Sequence, residues 1–115
     1  MRNVLFMIKI KVKEEYSDEV YTFMKAIHKL THEFDEGIIQ YDLHKVKDEE
    51  NTFCFIENWE SNEAYEIHRN KEHTKNFKDY LEDKIVDVQK IFLEKYEDDI
   101  TATDLESSFL SSLED

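Results

Sequence analysis

Two histidines and one glutamate are the residues of this chain best suited to moving protons. His68 and His73 lie on helical patterns that follow a strand pattern containing Glu57. Imidazole changes charge near neutral pH, and an apolar environment raises the pKa of a carboxyl group, so both can act as general acids or bases. We therefore interpret His68, His73 and Glu57 as the candidate catalytic residues.

The strand that carries the glutamate has a period-two pattern over residues 52–59 with apolar residues in both sets, which predicts a strand buried on both faces. Glu57 shares one face with three aromatic residues. Glu57 can equally be interpreted as a carboxylate at the end of the strand that reaches water or a lysine. The aromatic residues expected to contact a planar ligand are Tyr41, Phe53, Phe55, Trp59 and Phe77.

The histidines are expected to face inward on two short helices. Ser61 is suited to cap a helix that begins near Asn62, in which Ala64, Ile67 and His68 share one side. A second helical stretch places His73 on the same side as Phe77, Tyr80 and Leu81. Each histidine also has an ordinary interpretation as a core residue with satisfied ring nitrogens.

A longer helix precedes these elements. Ser17 or Asp18 is the expected cap, and Gly37, the only glycine, is the expected left-handed residue after the helix end. Its apolar stripe comprises Val20, Phe23, Met24, Ile27, Leu30, Thr31 and Phe34.

The remaining strand patterns cover residues 3–13, 38–45 and 86–96, and a charged turn over residues 46–51 joins strands two and three. The predicted order is strand, helix, strand, strand, helix, strand. This order is typical of the α+β ferredoxin-like fold, an antiparallel four-stranded sheet with helices on one face. Because the strands carry apolar residues on both faces, we expect two sheets to pack together in a homodimer.

Charge and composition exclude several classes of protein. With 115 residues and 40% hydrophobic content, the chain suits a single folded domain. A net charge of −13 argues against binding to nucleic acid or to anionic membranes. Cys54 is the only cysteine, which excludes an internal disulfide and indicates a buried, unreactive thiol. With no export or membrane-spanning pattern, we expect a cytoplasmic protein.

A cofactor is not expected. Because there is only one glycine, the chain lacks the glycine-rich loops that hold ATP, NAD or FAD in their commonest modes. His28 and His32 are four residues apart, but they lie away from the apolar stripe and are interpreted as surface residues, so no metal site is predicted.

The chain divides into a domain over residues 1–96 and an acidic extension over residues 97–115 that has no lysine or arginine. Leu105, Phe109 and Leu113 recur every four residues in the extension. This spacing leaves two possibilities, a frayed tail or a short docked helix.

The segment from Trp59 to Phe77 resembles the antibiotic biosynthesis monooxygenase family. The shared pattern consists of Trp59, Ala64, His68, His73 and Phe77, and the run Tyr41–His44 also resembles the second strand of that family. The resemblance covers about residues 3–96. It implies a dimeric α+β barrel and, in the quinol monooxygenase-like branch, oxygenation of a small phenol or quinol by dioxygen without a cofactor.

Two alternatives from other classes stay open at this point. One is a non-catalytic dimeric module that binds a small ligand or serves in stress response. The other, also found in the family, is an isomerase of a phosphorylated signalling molecule, which would need cations beside its pocket. Arg69, Lys71 and Lys75 are the candidate cations.

Overall fold

The computed structural model describes residues 3–94. The elements run in the order β1 (Val4–Val12), α1 (Ser17–Phe34), β2 (Ile38–Lys45), β3 (Thr52–Trp59), α2 (Asn62–Arg69), α3 (Glu72–Leu81) and β4 (Ile85–Leu93), with a 3₁₀ turn at Glu14–Tyr16. The strands form one antiparallel sheet in the order β2-β3-β1-β4. The helices cover one face of this sheet, so the predicted ferredoxin-like α+β fold is confirmed.

The core lies between that sheet face and the helices. Pairing aligns Ile10 of β1 with Phe53 of β3, and Ile8 with Phe55, so the alternate residues of both strands point toward the helices. Val20, Met24 and Ile27 of α1 are buried against them. The period-two and helical patterns of the sequence therefore identified the main packing faces.

Some local predictions were wrong. Neither Ser17 nor Asp18 caps α1, because the 3₁₀ turn leads directly into the helix and Tyr16 occupies the cap position without a side-chain hydrogen bond. Phe34 and Ile67, predicted to face inward, are 59% and 53% exposed. Phe34 is the last residue of α1, and in α2 it is Tyr65 that packs inward in place of Ile67.

The boundaries of the last strand also differ from the prediction. β4 begins one residue earlier than expected and ends at Leu93, and residues 95–96 of the predicted strand lie outside the described residues. The acidic extension, with its possible docked helix, lies there too. Within residues 3–94, no helix is long and apolar enough to cross a membrane.

Candidate functional site

A cavity of about 580 Å³ lies between the sheet and the pair of short helices α2 and α3. Its walls are mostly apolar, but Glu57 of β3 and His68 of α2 both line it. A concave, apolar space with a few convergent polar groups is the usual form of a small-molecule site. The space beside the two short helices is therefore an open pocket and not a filled core.

His68 is oriented by the start of α2. The predicted cap is confirmed, since the Ser61 hydroxyl accepts a hydrogen bond of 3.0 Å from the amide of Ala64. His68 lies one helical turn after Ala64, and its ring stacks on Trp59 with centroids 4.3 Å apart. Only 5% of the residue is exposed. The imidazole is thus held between a helix and an aromatic strand residue.

Asp35 is a member of the site that the sequence analysis missed. It is the C-cap residue of α1, and its side chain is 1% exposed. The Nδ1 atom of His68 donates a hydrogen bond to Asp35 Oδ2. Nε2 of His73 lies 2.8 Å from Asp35 Oδ1, although this contact lacks hydrogen-bond geometry and leaves both atoms without a hydrogen-bond partner among the described residues.

The only signal for Asp35 in the sequence was an acid between the end of α1 and Gly37, two residues before the glycine. Such a residue is ordinarily a solvated helix-end carboxylate. The contact with α2 and α3 depends on a packing arrangement that spacing along the chain does not reveal.

The hydrogen bond to Asp35 determines which nitrogen of His68 is available for chemistry. With Nδ1 donating to the carboxylate, Nε2 is the atom that can accept a proton, and it lies 3.8 Å from Glu57 Oε1. Burial lowers the pKa of His68, and the hydrogen bond and charge of Asp35 oppose this only in part. His68 is therefore neutral at pH 7 and available as a base.

Glu57 is the second proton-carrying group of the cavity. It is 6% exposed, and Trp59 Nε1 donates a hydrogen bond of 2.9 Å to its Oε1 atom. Burial raises the pKa of Glu57 to about 7, although the hydrogen bond from Trp59 opposes this shift. Near neutral pH the carboxyl group can thus either give or take a proton.

The aromatic residues named from the sequence fall into two groups. Tyr41, Phe55 and Phe77 line the cavity. Trp59 and Phe53 do not line it. Trp59 is fully buried behind His68, and Phe53 stacks on Tyr21 of α1 with ring centroids 5.4 Å apart.

Tyr41 is a buried aromatic residue of the cavity wall. It pairs with Glu57 across β2 and β3, and burial raises the pKa of its phenol. Tyr41 therefore stays protonated, so it can serve as a hydrogen-bond donor and not as a base.

His73 does not line the cavity. Its Nε2 atom lies close to Asp35 Oδ1, whereas His68 contacts Asp35 Oδ2. The structure thus brings both predicted histidines to the same carboxylate. In this position His73 can help to hold Asp35 beside His68, but it does not face the space that a ligand would occupy.

Asp35, His68 and His73 also have the composition of a metal site. One ligand atom from each lies within 4.8 Å of the others. Two histidines and a carboxylate bind Zn²⁺ or Fe²⁺ in many proteins. No metal ligand was predicted here from the sequence. In the structure, Oδ2 of Asp35 accepts the hydrogen bond of His68, whereas Oδ1 of Asp35 and Nε2 of His73 have no hydrogen-bond partner among the described residues.

The chain matches known proteins over the domain that holds this cavity. Residues 3–80 match the model of the family described as antibiotic biosynthesis monooxygenase. One relative is the "Putative monooxygenase YcnE" of Bacillus subtilis (strain 168). It is 31% identical over 74 residues, which cover 64% of this chain and 77% of the relative.

Solved structures share the fold at lower sequence identity. A "Putative antibiotic biosynthesis monooxygenase" from Bacteroides thetaiotaomicron superposes with a TM-score of 0.78 at 17% identity, covering 87% of this chain and 95% of that one. A Pseudomonas aeruginosa protein superposes with a TM-score of 0.76 at 23% identity, covering 84% and 96%. From the family match over residues 3–80, we conclude that this chain belongs to the antibiotic biosynthesis monooxygenase family.

Proposed function

We propose that the protein is a cofactor-independent monooxygenase that oxidises a small phenol or quinol with dioxygen. The observation that carries this proposal is the Asp35–His68 pair, in which a neutral, buried imidazole lines an aromatic cavity beside Glu57. The family match supports oxygenase chemistry in general, and the pair supports a substrate whose proton must be removed.

The first step in this proposal is deprotonation of the substrate. A free phenol has a pKa of about 10, so at neutral pH it needs a base at hydrogen-bond distance. His68 Nε2 accepts the proton, and Asp35 stabilises the imidazolium that forms, as an acid beside histidine does in many hydrolases. Tyr41 stays protonated and can donate to an oxygen of the substrate.

The phenolate then supplies the electrons. It passes an electron to dioxygen, and recombination forms a carbon–oxygen bond on the ring. The second oxygen atom leaves as water after the O–O bond breaks, so a phenol and dioxygen give a quinone and water. All the electrons come from the substrate, and no other reductant is needed. Glu57, with its pKa near 7, can return a proton to the leaving oxygen.

Replacement of the histidines tests this proposal. We expect His68→Ala to lower oxygen consumption with a hydroquinone substrate by about 10²-fold or more, the usual scale for loss of a general base. His73→Ala should act in the same direction through Asp35. His44→Ala is the matched control, because His44 is exposed on β2 and its ring is not part of the cavity wall.

An oxygen electrode and circular dichroism provide the two measurements. A folded His68→Ala variant with unchanged turnover would contradict the proposal. Asp35→Asn adds a finer test, since it keeps the size of the side chain but removes the charge that opposes the lowered pKa of His68. The acid limb of the pH–rate profile should therefore move to lower pH in this variant.

The isomerase alternative has one specific observation in its favour. Arg69 and Lys75 line the cavity, as the binding of a phosphorylated ligand would need. Lys71, the third candidate cation, instead donates to the carbonyl oxygen of Phe34 at 3.4 Å. Turnover of a phosphorylated sugar derivative without oxygen uptake would favour this alternative, and ligand binding without any turnover would favour the non-catalytic module.

A further inference from the structure

Lys90 lies in an unusual place on β4. It pairs with Ile8 of β1, which in turn pairs with Phe55 of β3, so Lys90 points to the helix-covered face of the sheet. The other residues of this row are apolar, and Val88 and Phe92 flank Lys90 on the same face. A lysine here interrupts an otherwise apolar strand face, which calls for a role beyond packing.

The ammonium group of Lys90 is held by aromatic residues. Its Nζ atom donates a hydrogen bond to the hydroxyl of Tyr65 and lies 4.3 Å from the ring centroid of Phe6. It also lies 5.0 Å from the ring centroids of Tyr65 and Phe92. Such cation–π contacts fix the position of a cation without neutralising its charge.

No carboxylate neutralises this charge in the part of the chain that is described. None of the ion pairs within residues 3–94 includes Lys90. An ammonium group has three hydrogens to donate, and Tyr65 uses one. Lys90 therefore keeps donors and an uncompensated positive charge at the cavity wall that it shares with Tyr65.

The same cavity holds the two proton-carrying groups. Lys90 is close enough to Glu57 and His68 for its charge to act on both. Because Lys90 has no ion-pair partner within residues 3–94, it is available to attract a negative charge that forms on a ligand when the base removes a proton. Lys90 is itself an exposed residue, so water screens part of this attraction.

We propose that Lys90, positioned by Tyr65, binds an oxyanion of the aromatic ligand in the cavity. The aromatic nature of the ligand rests on the function proposed above. The oxyanion has two possible sources, the phenolate that forms when the ligand loses its proton and a carboxylate carried on the ring. Lys90 stabilises the first only after deprotonation, whereas it attracts the second before any reaction.

A coloured phenol distinguishes the first source. The phenolate of 4-nitrophenol absorbs visible light, so a pH titration of the bound compound measures its pKa directly. We expect the intact protein to lower this pKa relative to the free compound. Lys90→Met should reduce the binding preference for phenolate over phenol by about 10-fold, the scale of one charge-assisted hydrogen bond. Tyr65→Phe should give a smaller change in the same direction.

The second source requires a pair of ligands that differ in charge. Calorimetry with 4-hydroxybenzoate and 4-hydroxybenzamide separates the carboxylate from its neutral counterpart. If the carboxylate is the bound oxyanion, Lys90→Met should weaken binding of 4-hydroxybenzoate by about 10-fold and leave 4-hydroxybenzamide unchanged. Lys47→Met is the matched control, since Lys47 is an exposed lysine of the β2–β3 turn.

Neither measurement depends on oxygen consumption, so failure of the proposed reaction and failure of this site are distinguishable. A protein that binds an oxyanion through Lys90 but consumes no oxygen would overturn the reaction alone. A folded Lys90→Met variant with unchanged pKa of bound 4-nitrophenol and unchanged affinity for 4-hydroxybenzoate would overturn the Lys90 site. Failure of the native protein to bind any of the three compounds would also overturn it.

Discussion

At the residue scale, the site combines two buried carboxyl groups with different roles. Asp35 accepts a hydrogen bond from His68 Nδ1 and does not line the cavity, whereas Glu57 lines it. Glu57 accepts a hydrogen bond from Trp59. The positive charge of Lys90 lowers the pKa of Glu57, but Lys90 forms no ion pair with it among the described residues. In the proposed reaction, these different surroundings give Asp35 an orienting role and make Glu57 available for proton exchange.

The raised pKa of Glu57 predicts how stability depends on pH. The folded protein holds this proton up to about pH 7, whereas a freely solvated glutamate has a pKa of 4.5. The contribution of protonated Glu57 to the free energy of unfolding is therefore fully present below about pH 4.5 and is lost as the pH rises through 7. We expect Glu57→Gln, which stays neutral, to gain on the order of 3 kcal/mol relative to the native protein between about pH 4 and pH 8.

Urea unfolding at several pH values measures this gain. Glu33→Gln, which makes the same chemical change at an exposed position of α1, is the control. A difference between Glu57→Gln and the native protein that is the same at all pH values would contradict the prediction.

At the element scale, the turn between α1 and β2 packs against the start of α2, the helix that carries His68. Gly37 in this turn has φ +79°, a backbone conformation that other residues adopt only with strain. A Cβ atom on Gly37 would lie 2.6 Å from the Cβ atom of Ala64. The glycine lets the turn approach α2 closely, one helical turn before His68 contacts Asp35.

We expect Gly37→Ala to reduce the free energy of unfolding by about 2 kcal/mol, because it adds both backbone strain and a steric clash. It should also lower oxygen consumption by displacing α2 from Asp35. Thermal and urea unfolding measure the first effect.

A double-mutant cycle separates the two causes. Ala64→Gly removes the clashing Cβ atom but not the strained backbone, so the coupling free energy between the two substitutions isolates the steric part. A Gly37→Ala variant as stable as the native protein would show that the turn does not need glycine.

At the scale of the whole molecule, the sheet face opposite the helices has an apolar surface. In β1 and β4, Leu5 pairs with Leu93 and Met7 pairs with Ile91 on this outer face. Ile91 and Leu93 are both 45% exposed. We propose that a second copy of the chain covers this face in a homodimer, as expected from the two-faced strands.

Sedimentation at micromolar concentration tests this assembly. The native chain should sediment as a dimer, and Leu93→Glu should shift it toward monomer, because burying a charge at an apolar interface is unfavourable. Ile67→Glu makes a comparable change on the exposed side of α2 and should leave the dimer intact. A native chain that is monomeric at this concentration would rule the assembly out.

The sequence by itself determined the fold and one half of the site. Period-two strands, the Ser61 cap and the inward positions of His68 and Glu57 depend on local periodicity, which a chain shows directly. The family pattern from Trp59 to Phe77 also lies within one continuous segment. These features were predictable because residues close in sequence keep fixed relative directions in a helix or strand.

Only the tertiary structure determined the partners of those residues. Asp35 reaches His68 across 33 positions of sequence, and Lys90 reaches Tyr65 across 25. In the sequence both are ordinary charged residues, one at a helix end and one in the last strand. Their roles depend on how α1 and β4 pack around α2, and packing across separate elements leaves no periodic signal in a single chain.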